Sequence, residues 1–128
     1  MLKFNKSSIK ELKGYLYQSN IHDAQLKSSQ YDIEQKKLCI EVVNPIYDVS
    51  IDLIFSDVSV LFFISGKEQG DCKTILSLSA EEDCSYIRDF PQACEDKLDE
   101  SLYLLFQMFS GDELHVVCNE LFIDSTEQ

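Results

Sequence analysis

From residue 24 to the carboxyl end, the chain reads as a succession of short segments in which apolar and polar residues alternate, separated by short polar turns. Alternation with a period of two is typical of half-buried β-strands. Parallel strands need crossover connections of about a dozen residues or more, and such turns are too short to supply them. The sequence therefore predicts a mostly antiparallel β-structure.

Eight strands are predicted in this part of the chain. They cover residues 24–32, 38–43, 49–55, 58–65, 74–79, 84–90, 101–109 and 114–121. The run 58–65 is almost wholly apolar, which indicates a strand that is buried on both faces. The last two strands flank Ser110-Gly111-Asp112, a turn sequence that favours a tight hairpin.

One helix precedes the strands. Ser8 followed three residues later by Glu11 is the pattern of a capping box, and apolar residues then recur at helical spacing over Ile9–Gln18. The predicted fold class is α+β, with an amino-terminal helix followed by about eight mostly antiparallel strands that form a curved sheet or an open barrel. The 128 residues are expected to form a single domain, with the helix covering one face or one end of the sheet.

Negative charge is concentrated in the second part of the chain. The formal net charge is −12, and residues 1–45 carry +2 while residues 46–128 carry −14. The densest acidic segment contains Glu81, Glu82, Asp83, Asp89, Glu95, Asp96, Asp99 and Glu100. These eight residues are predicted to form an acidic face that binds a basic protein partner, whereas nucleic acid and anionic membranes would be repelled.

The amino end lacks the apolar stretch of a secretory signal, and no apolar run reaches the roughly 20 residues that span a bilayer. A soluble, cytoplasmic protein is therefore expected. Five cysteines at irregular spacings, with no C-x-x-C pair, argue against a disulfide framework and against a zinc site. Cys39 and Cys118 lie in apolar runs and are predicted to pack as small apolar residues.

The common catalytic and nucleotide-binding motifs are absent, which favours a non-enzymatic protein. The alternative site is His22-Asp23, where an imidazole beside a carboxylate could act as a general base. A short turn is predicted through Ser19, Asn20, His22 and Asp23, and a turn or capping role for His22 is the alternative to a catalytic one. If the segment is extended, adjacent residues point to opposite faces, which disfavours this pair as a dyad. The same alternation separates His115 from Cys118 and disfavours a nucleophile pair there.

No metal or cofactor is expected. Residues 89–100 are rich in carboxylates, but they lack the spacing and the central glycine of a calcium-binding EF-hand loop. No spacing singles out two carboxylates as the acid and base of a glycosidase.

Two short segments carry a resemblance to known proteins. Ile21-His22-Asp23-Ala24 opens the first long strand, and a closing hairpin runs over residues 104–118. In both segments the chain resembles small bacterial α+β proteins that are similar in size and acidity to immunity proteins, which neutralise toxin domains. The resemblance implies a small bacterial protein of immunity-like size and acidity, a group in which many members have no assigned activity, and it implies no catalytic residue.

Two function classes follow. The first is an interaction module of immunity type whose acidic face docks on a basic partner, since complementary charge speeds and orients association. The second is a small ligand-binding or hydrolytic domain that uses His22 and Asp23. A homodimer is a third alternative and overlaps with the first.

Overall fold

Nine β-strands and one α-helix make up the part of the chain that the computed structural model describes, which is residues 1–66, 74–81 and 101–127. The strands are β1 (Leu2–Phe4), β2 (Gln25–Asp32), β3 (Lys37–Asn44), β4 (Val49–Ser56), β5 (Val60–Ile64), β6 (Ile75–Glu81), β7 (Leu102–Met108), β8 (Glu113–Cys118) and β9 (Glu120–Glu127). The helix α1 spans Ile9–Gln18 and follows a short 3-10 turn at Lys6–Ser8. The helix bounds are those predicted.

The strands form two antiparallel sheets. One has five strands in the order β1-β9-β4-β3-β2, and the other has four strands in the order β5-β8-β7-β6. The chain passes from the first sheet to the second between β4 and β5, and it returns between β8 and β9. The α+β class and the antiparallel pairing are confirmed, but two sheets stand in place of the single curved sheet or open barrel that was predicted.

The hydrophobic core lies between the two sheets. Alternate residues of β3 and β4 point into it, as the alternating burial of these two strands shows. Phe55 of β4 and Phe106 of β7 meet there edge to face, with ring centroids 6.2 Å apart and an interplanar angle of 64°. The helix packs against β1 and β6 and contributes the fully buried Leu12.

The cap of the helix differs from the predicted one. Ser8 makes no side-chain cap hydrogen bond to α1. Its hydroxyl accepts a hydrogen bond from the Asn5 backbone N–H at 2.9 Å, while Asn5 Oδ1 accepts one from the Ser8 N–H at 3.3 Å. Ser8 is the N-cap residue of α1, as predicted, but the capping box that it forms is with Asn5 and belongs to the 3-10 turn, of which Ser8 is the third residue.

Two strand predictions, over 58–65 and over 114–121, need correction. Within the described residues β5 is an edge strand, with Phe63 60% and Ile64 42% exposed, so it is not buried on both faces. Strands β1 and β9 were not predicted, because β1 has three residues and because Asn119 interrupts what was taken as one strand over 114–121. The predicted strand over 84–90 lies outside the described residues.

In the described residues, no helix combines the length and apolarity that a membrane crossing requires.

Candidate functional site

The structure describes one of the eight predicted partner-binding residues. Glu81 ends β6, lies opposite Tyr103 of β7, and accepts a hydrogen bond of 2.8 Å from the Ser79 hydroxyl. The other seven, Glu82, Asp83, Asp89, Glu95, Asp96, Asp99 and Glu100, lie outside the described residues. The predicted acidic face therefore stays a prediction.

A different acidic feature crosses the outer face of the five-stranded sheet. Glu41 of β3 lies directly opposite Asp52 of β4, and Asp52 lies directly opposite Asp124 of β9. All three side chains point away from the core, because the neighbouring positions Val42, Leu53 and Ile123 point into it. We call these three residues the acidic row. Directly opposed side chains have Cβ atoms about 5 Å apart.

The acidic row is expected to oppose folding rather than support it. Like charges directly opposite each other on neighbouring strands are destabilising, and Asp52 faces a carboxylate on both sides. One neighbouring cation offsets part of this repulsion, since Lys27 Nζ lies 3.5 Å from Glu41 Oε1. Positions where a sequence departs from locally favourable choices are expected at functional sites.

An apolar row runs beside the acidic row on the same face. Cys39, Ile54 and Phe122 lie opposite one another on β3, β4 and β9, and all three are at least partly accessible. Lys3 borders this row, with its ammonium 5.9 Å from the centre of the Phe122 ring and 2.8 Å from Glu120 Oε2. Cys39 is thus exposed on this face, and the prediction that it packs in the core is wrong.

In the sequence, the alternation of apolar and polar residues along β3, β4 and β9 would have been enough to place Glu41, Asp52 and Asp124 on solvent-facing sides of their strands. The sequence does not show that they share one row, since that depends on the register of three strands and on β9, which was not predicted.

The alternative residues His22 and Asp23 lie in a turn that is fixed to the edge of β6. The Asp23 N–H donates to the Ile75 carbonyl and the Ile75 N–H donates to the Ala24 carbonyl, both at 2.9 Å. His22 Nδ1 also contacts the Leu76 carbonyl. A carbonyl oxygen only accepts, so Nδ1 is the donor and the ring is held against the strand.

The buried side chain of Asn44, the last residue of β3, also holds this turn in place. Its side-chain amide donates to the Asn20 carbonyl at 2.9 Å, and its Oδ1 accepts from the Ile46 N–H at 3.0 Å. The position of His22 is therefore fixed by two strands, β3 and β6.

His22 and Asp23 come closer than an extended backbone allows. Asp23 has φ 67°, in the left-handed region that aspartate tolerates, so the segment turns. His22 Nε2 then lies 3.6 Å from Asp23 Oδ2, which is too far for a hydrogen bond but within ion-pair range. Both side chains are well exposed, so the structure brings the pair together without the burial that activates a general base.

A concave surface adjoins His22. It lies between α1 and β6, has a volume of about 470 Å³, and is lined by Lys13, Leu16, Tyr17, Ile21, His22, Ser77, Leu78, Ser79 and Ala80. We call it the α1–β6 cleft.

A buried polar cluster on the outer face of the four-stranded sheet was missed in the sequence. His115 is fully buried there, and its Nδ1 shares a hydrogen bond of 2.6 Å with the Tyr103 hydroxyl. The Phe62 ring stacks on the imidazole with centroids 4.3 Å apart, and Glu113 Oε1 lies 3.7 Å from Nε2. Burial lowers the pKa of His115 below its ordinary value of 6.5, and Glu113 opposes part of that shift.

Cys118 lies in the core, on the opposite side of the sheet from His115, as predicted. Burial is the main cause that raises the pKa of its thiol to about 12. The thiol therefore stays protonated at neutral pH and is inert as a nucleophile.

No cluster of three or more His, Cys, Asp or Glu side chains suited to a metal ion occurs within residues 1–66, 74–81 and 101–127. Neither a protein-family model nor a curated protein sequence matches this chain.

Proposed function

We propose that this protein is a non-enzymatic interaction module that binds a basic protein through the outer face of its five-stranded sheet. The observation that carries the proposal is the acidic row, three directly opposed carboxylates on three neighbouring strands. A cationic partner surface would neutralise their mutual repulsion, so part of the binding free energy would come from relief of an unfavourable interaction in the free protein.

The apolar row supports the same proposal. Stable interfaces combine an apolar centre with a polar rim, and Ile54 and Phe122 give this face an apolar strip beside its charges. The immunity-type role implied by the resemblance fits such a surface, since an inhibitor of a nuclease toxin must face a cationic substrate groove. That role is part of the proposal, and the acidic segment from Glu81 to Glu100 is proposed to add to the same negative field.

Asp52→Asn is expected to raise the free energy of unfolding by about 0.5 kcal/mol at low salt, because it removes the central charge of the row. The gain should shrink as salt is added, since exposed charges are screened. Urea unfolding of the two proteins measures the difference. Asp48→Asn is the control, because Asp48 lies in the β3–β4 turn with φ 54°, a conformation that Asn also accepts. An Asp52→Asn variant less stable than wild type would show that the row does not repel itself.

Partner binding is tested by comparative capture. Wild-type protein, Asp52→Lys and Glu34→Lys are immobilised and exposed to the lysate of the native cells. Glu34→Lys makes the same charge reversal at an exposed position in the β2–β3 turn, away from the row. We expect a basic protein to be retained by wild type and Glu34→Lys, lost by Asp52→Lys, and released by salt.

Two outcomes would contradict the proposal. In one, the three immobilised proteins retain the same lysate proteins in the same amounts. In the other, the proteins that distinguish Asp52→Lys from wild type are acidic, in which case the row is not a cation-binding surface.

A further inference from the structure

We propose that strand β5 pairs with β5 of a second copy of this chain, so that the protein forms a two-fold dimer through one edge of its four-stranded sheet. Within the described residues β5 is the outermost strand of that sheet and pairs only with β8. A strand at the edge of a sheet presents N–H and C=O groups on which another strand can pair. This contact is separate from the acidic row, which lies on the outer face of the other sheet.

The other three edges of the two sheets are protected in the described part of the chain. Strand β1 has only three residues, and the register of β2 shifts beside Lys27. At the start of β6, the edge is occupied by the turn whose Asp23 N–H donates to the Ile75 carbonyl. Short strands, bulges and charged side chains are devices that keep sheet edges from pairing. Strand β5 has none of these, since its register is regular and its sequence is Val60-Leu61-Phe62-Phe63-Ile64.

The backbone groups of β5 that point away from β8 belong to Leu61 and Phe63. The Ser59 N–H donates to the Val117 carbonyl at 2.8 Å, so this carbonyl points toward β5. Backbone groups point to alternate sides along an antiparallel strand. Residues 113, 115 and 117 therefore bond to β5, and their partners there are residues 64, 62 and 60. The N–H and C=O groups of Leu61 and Phe63 point to the opposite side, where a further strand would lie.

One two-fold register uses all of these groups. When β5 lies antiparallel to its copy and overlaps it fully, Leu61 of each chain is opposite Phe63 of the other. Each such pair exchanges both of its backbone hydrogen bonds. A shift by one residue would set outward groups against inward ones, and a shift by two would lose one of the pairs. The contact is isologous, as in most dimers of identical chains.

An apolar groove beside β5 has room for the ring of the second copy. It has a volume of about 560 Å³, and the described residues that line it are Leu26, Ser29, Tyr31, Leu38, Leu61, Phe62, Phe63, Met108 and Leu114. Leu61 and Phe63 lie on the core side of β5, because they are opposite Val116 and Leu114 of β8. Phe63 of the second copy, opposite Leu61, would lie at this groove. Its ring is 60% exposed in the single chain and would leave water on pairing.

Charge favours a second copy over the basic partner proposed for the acidic row. Neither β5 nor the described lining of the groove carries a charged side chain. A basic strand would bring its cations to an edge that offers them no carboxylate, whereas β5 brings no charge and matches itself in register. Two chains of net charge −12 repel each other at long range, so an uncharged edge is where they can meet at the lowest cost.

The dimer is expected to be weak. A standard interface buries about 800 Å² and roughly 20–30 residues on each side. A strand of five residues and the wall of one groove amount to less than this. We therefore expect a dissociation constant of about 10–100 µM.

Sedimentation velocity between about 2 and 500 µM protein tests the proposal. We expect the mass of wild type to rise from that of one chain toward that of two. Added salt should strengthen the dimer, because it screens the repulsion between the chains. Salt should release the partner of the acidic row instead, so the two proposals can fail independently. Amide hydrogen exchange at Leu61 and Phe63 should slow as the protein concentration rises.

Variants of Phe63 locate the contact. Phe63→Lys puts a charge at the pairing edge and should weaken the dimer about tenfold or more. Phe63→Ser removes the ring without adding a charge and should also weaken it, which keeps the test valid if the lysine variant is unstable. Tyr47→Lys is the matched control, because Tyr47 is an aromatic residue of the β3–β4 turn that is 64% exposed. It should dimerise as wild type does.

The proposal is overturned if wild type remains a monomer over the whole concentration range, or if it forms assemblies larger than a dimer. Equal dimerisation of wild type, Phe63→Ser and Phe63→Lys would also overturn it. So would exchange that slows in other strands while the Leu61 and Phe63 amides are unaffected.

Discussion

Phe106→Ala is expected to lower the free energy of unfolding by about 3–5 kcal/mol. Phe106 is fully buried between the sheets, where its ring meets Phe55 at 6.2 Å. The substitution removes the largest side chain that β7 contributes to the main core and leaves a cavity that strands on both sides cannot close. Urea unfolding measures the loss as a lower midpoint with an unchanged slope.

Phe109→Ala is the matched control for this experiment. It makes the same change three residues along, in the β7–β8 turn, where the side chain is 45% exposed. We expect a loss of less than about 1 kcal/mol, since surface substitutions cost little. Equal losses for the two variants would mean that β7 does not present Phe106 to the core.

Tyr103→Phe is expected to cost about 1–3 kcal/mol, because it takes the hydroxyl partner from the buried His115 Nδ1. Adding His115→Phe should recover much of this loss. The second ring keeps the stack on Phe62 and removes the imidazole nitrogen that Tyr103→Phe leaves without its hydroxyl, although Glu113 then loses its neighbour at Nε2. A double-mutant cycle in urea measures the coupling between the two positions.

The stabilities of wild type and the double variant should also depend differently on pH. The pKa of His115 is lowered in the folded protein, so the unfolded chain takes up the proton first as the pH falls. The neutral His115 makes its whole contribution to the free energy of unfolding above about pH 6.5. That contribution is lost as the pH falls toward the lower pKa of the folded state. Wild type should therefore lose more stability below pH 6.5 than the Tyr103→Phe/His115→Phe double variant, which cannot titrate there. Parallel stability curves for the two proteins would contradict this account.

The helix and the hairpins were predictable because their signals are local. The apolar spacing of Ile9, Leu12 and Leu16 defined α1, and Ser110-Gly111 defined the β7–β8 turn, where Gly111 has φ 86°. The partition into two sheets was not predictable in this way. It depends on the corner at Asn119, whose N–H donates to the Ser56 carbonyl of a strand far away in the sequence.

The candidate sites were also hard to predict from the sequence, because they depend on how distant strands pair. The local density of acidic residues predicted a negative face over residues 81–100, whereas Glu41, Asp52 and Asp124 are far apart in the sequence, and only the pairing of β3, β4 and β9 places them in one row. The turn through His22 and Asp23 was predicted, but their side chains were expected to point apart, and the left-handed backbone of Asp23 brings them to one side. Alternation separated His115 from Cys118 correctly, yet it could not show Tyr103 and Phe62 around the imidazole, because they lie on two other strands.

A cost in stability accompanies the proposed function. We expect the acidic row to weaken the free protein, and a partner that neutralises it would stabilise the complex by the same interaction. This coupling distinguishes a binding surface from a merely solubilising one, because solubility requires negative charge but no opposed carboxylates.

The most direct test of this account is the association rate of the captured partner with wild-type protein and with Asp52→Lys, measured from about 0.05 to 0.5 M salt. The account predicts that the wild-type rate falls by about tenfold or more over this range, and that the Asp52→Lys rate is lower at low salt and depends less on salt. If Asp52→Lys associates at the wild-type rate with the wild-type salt dependence, the acidic row is not the surface that binds the partner.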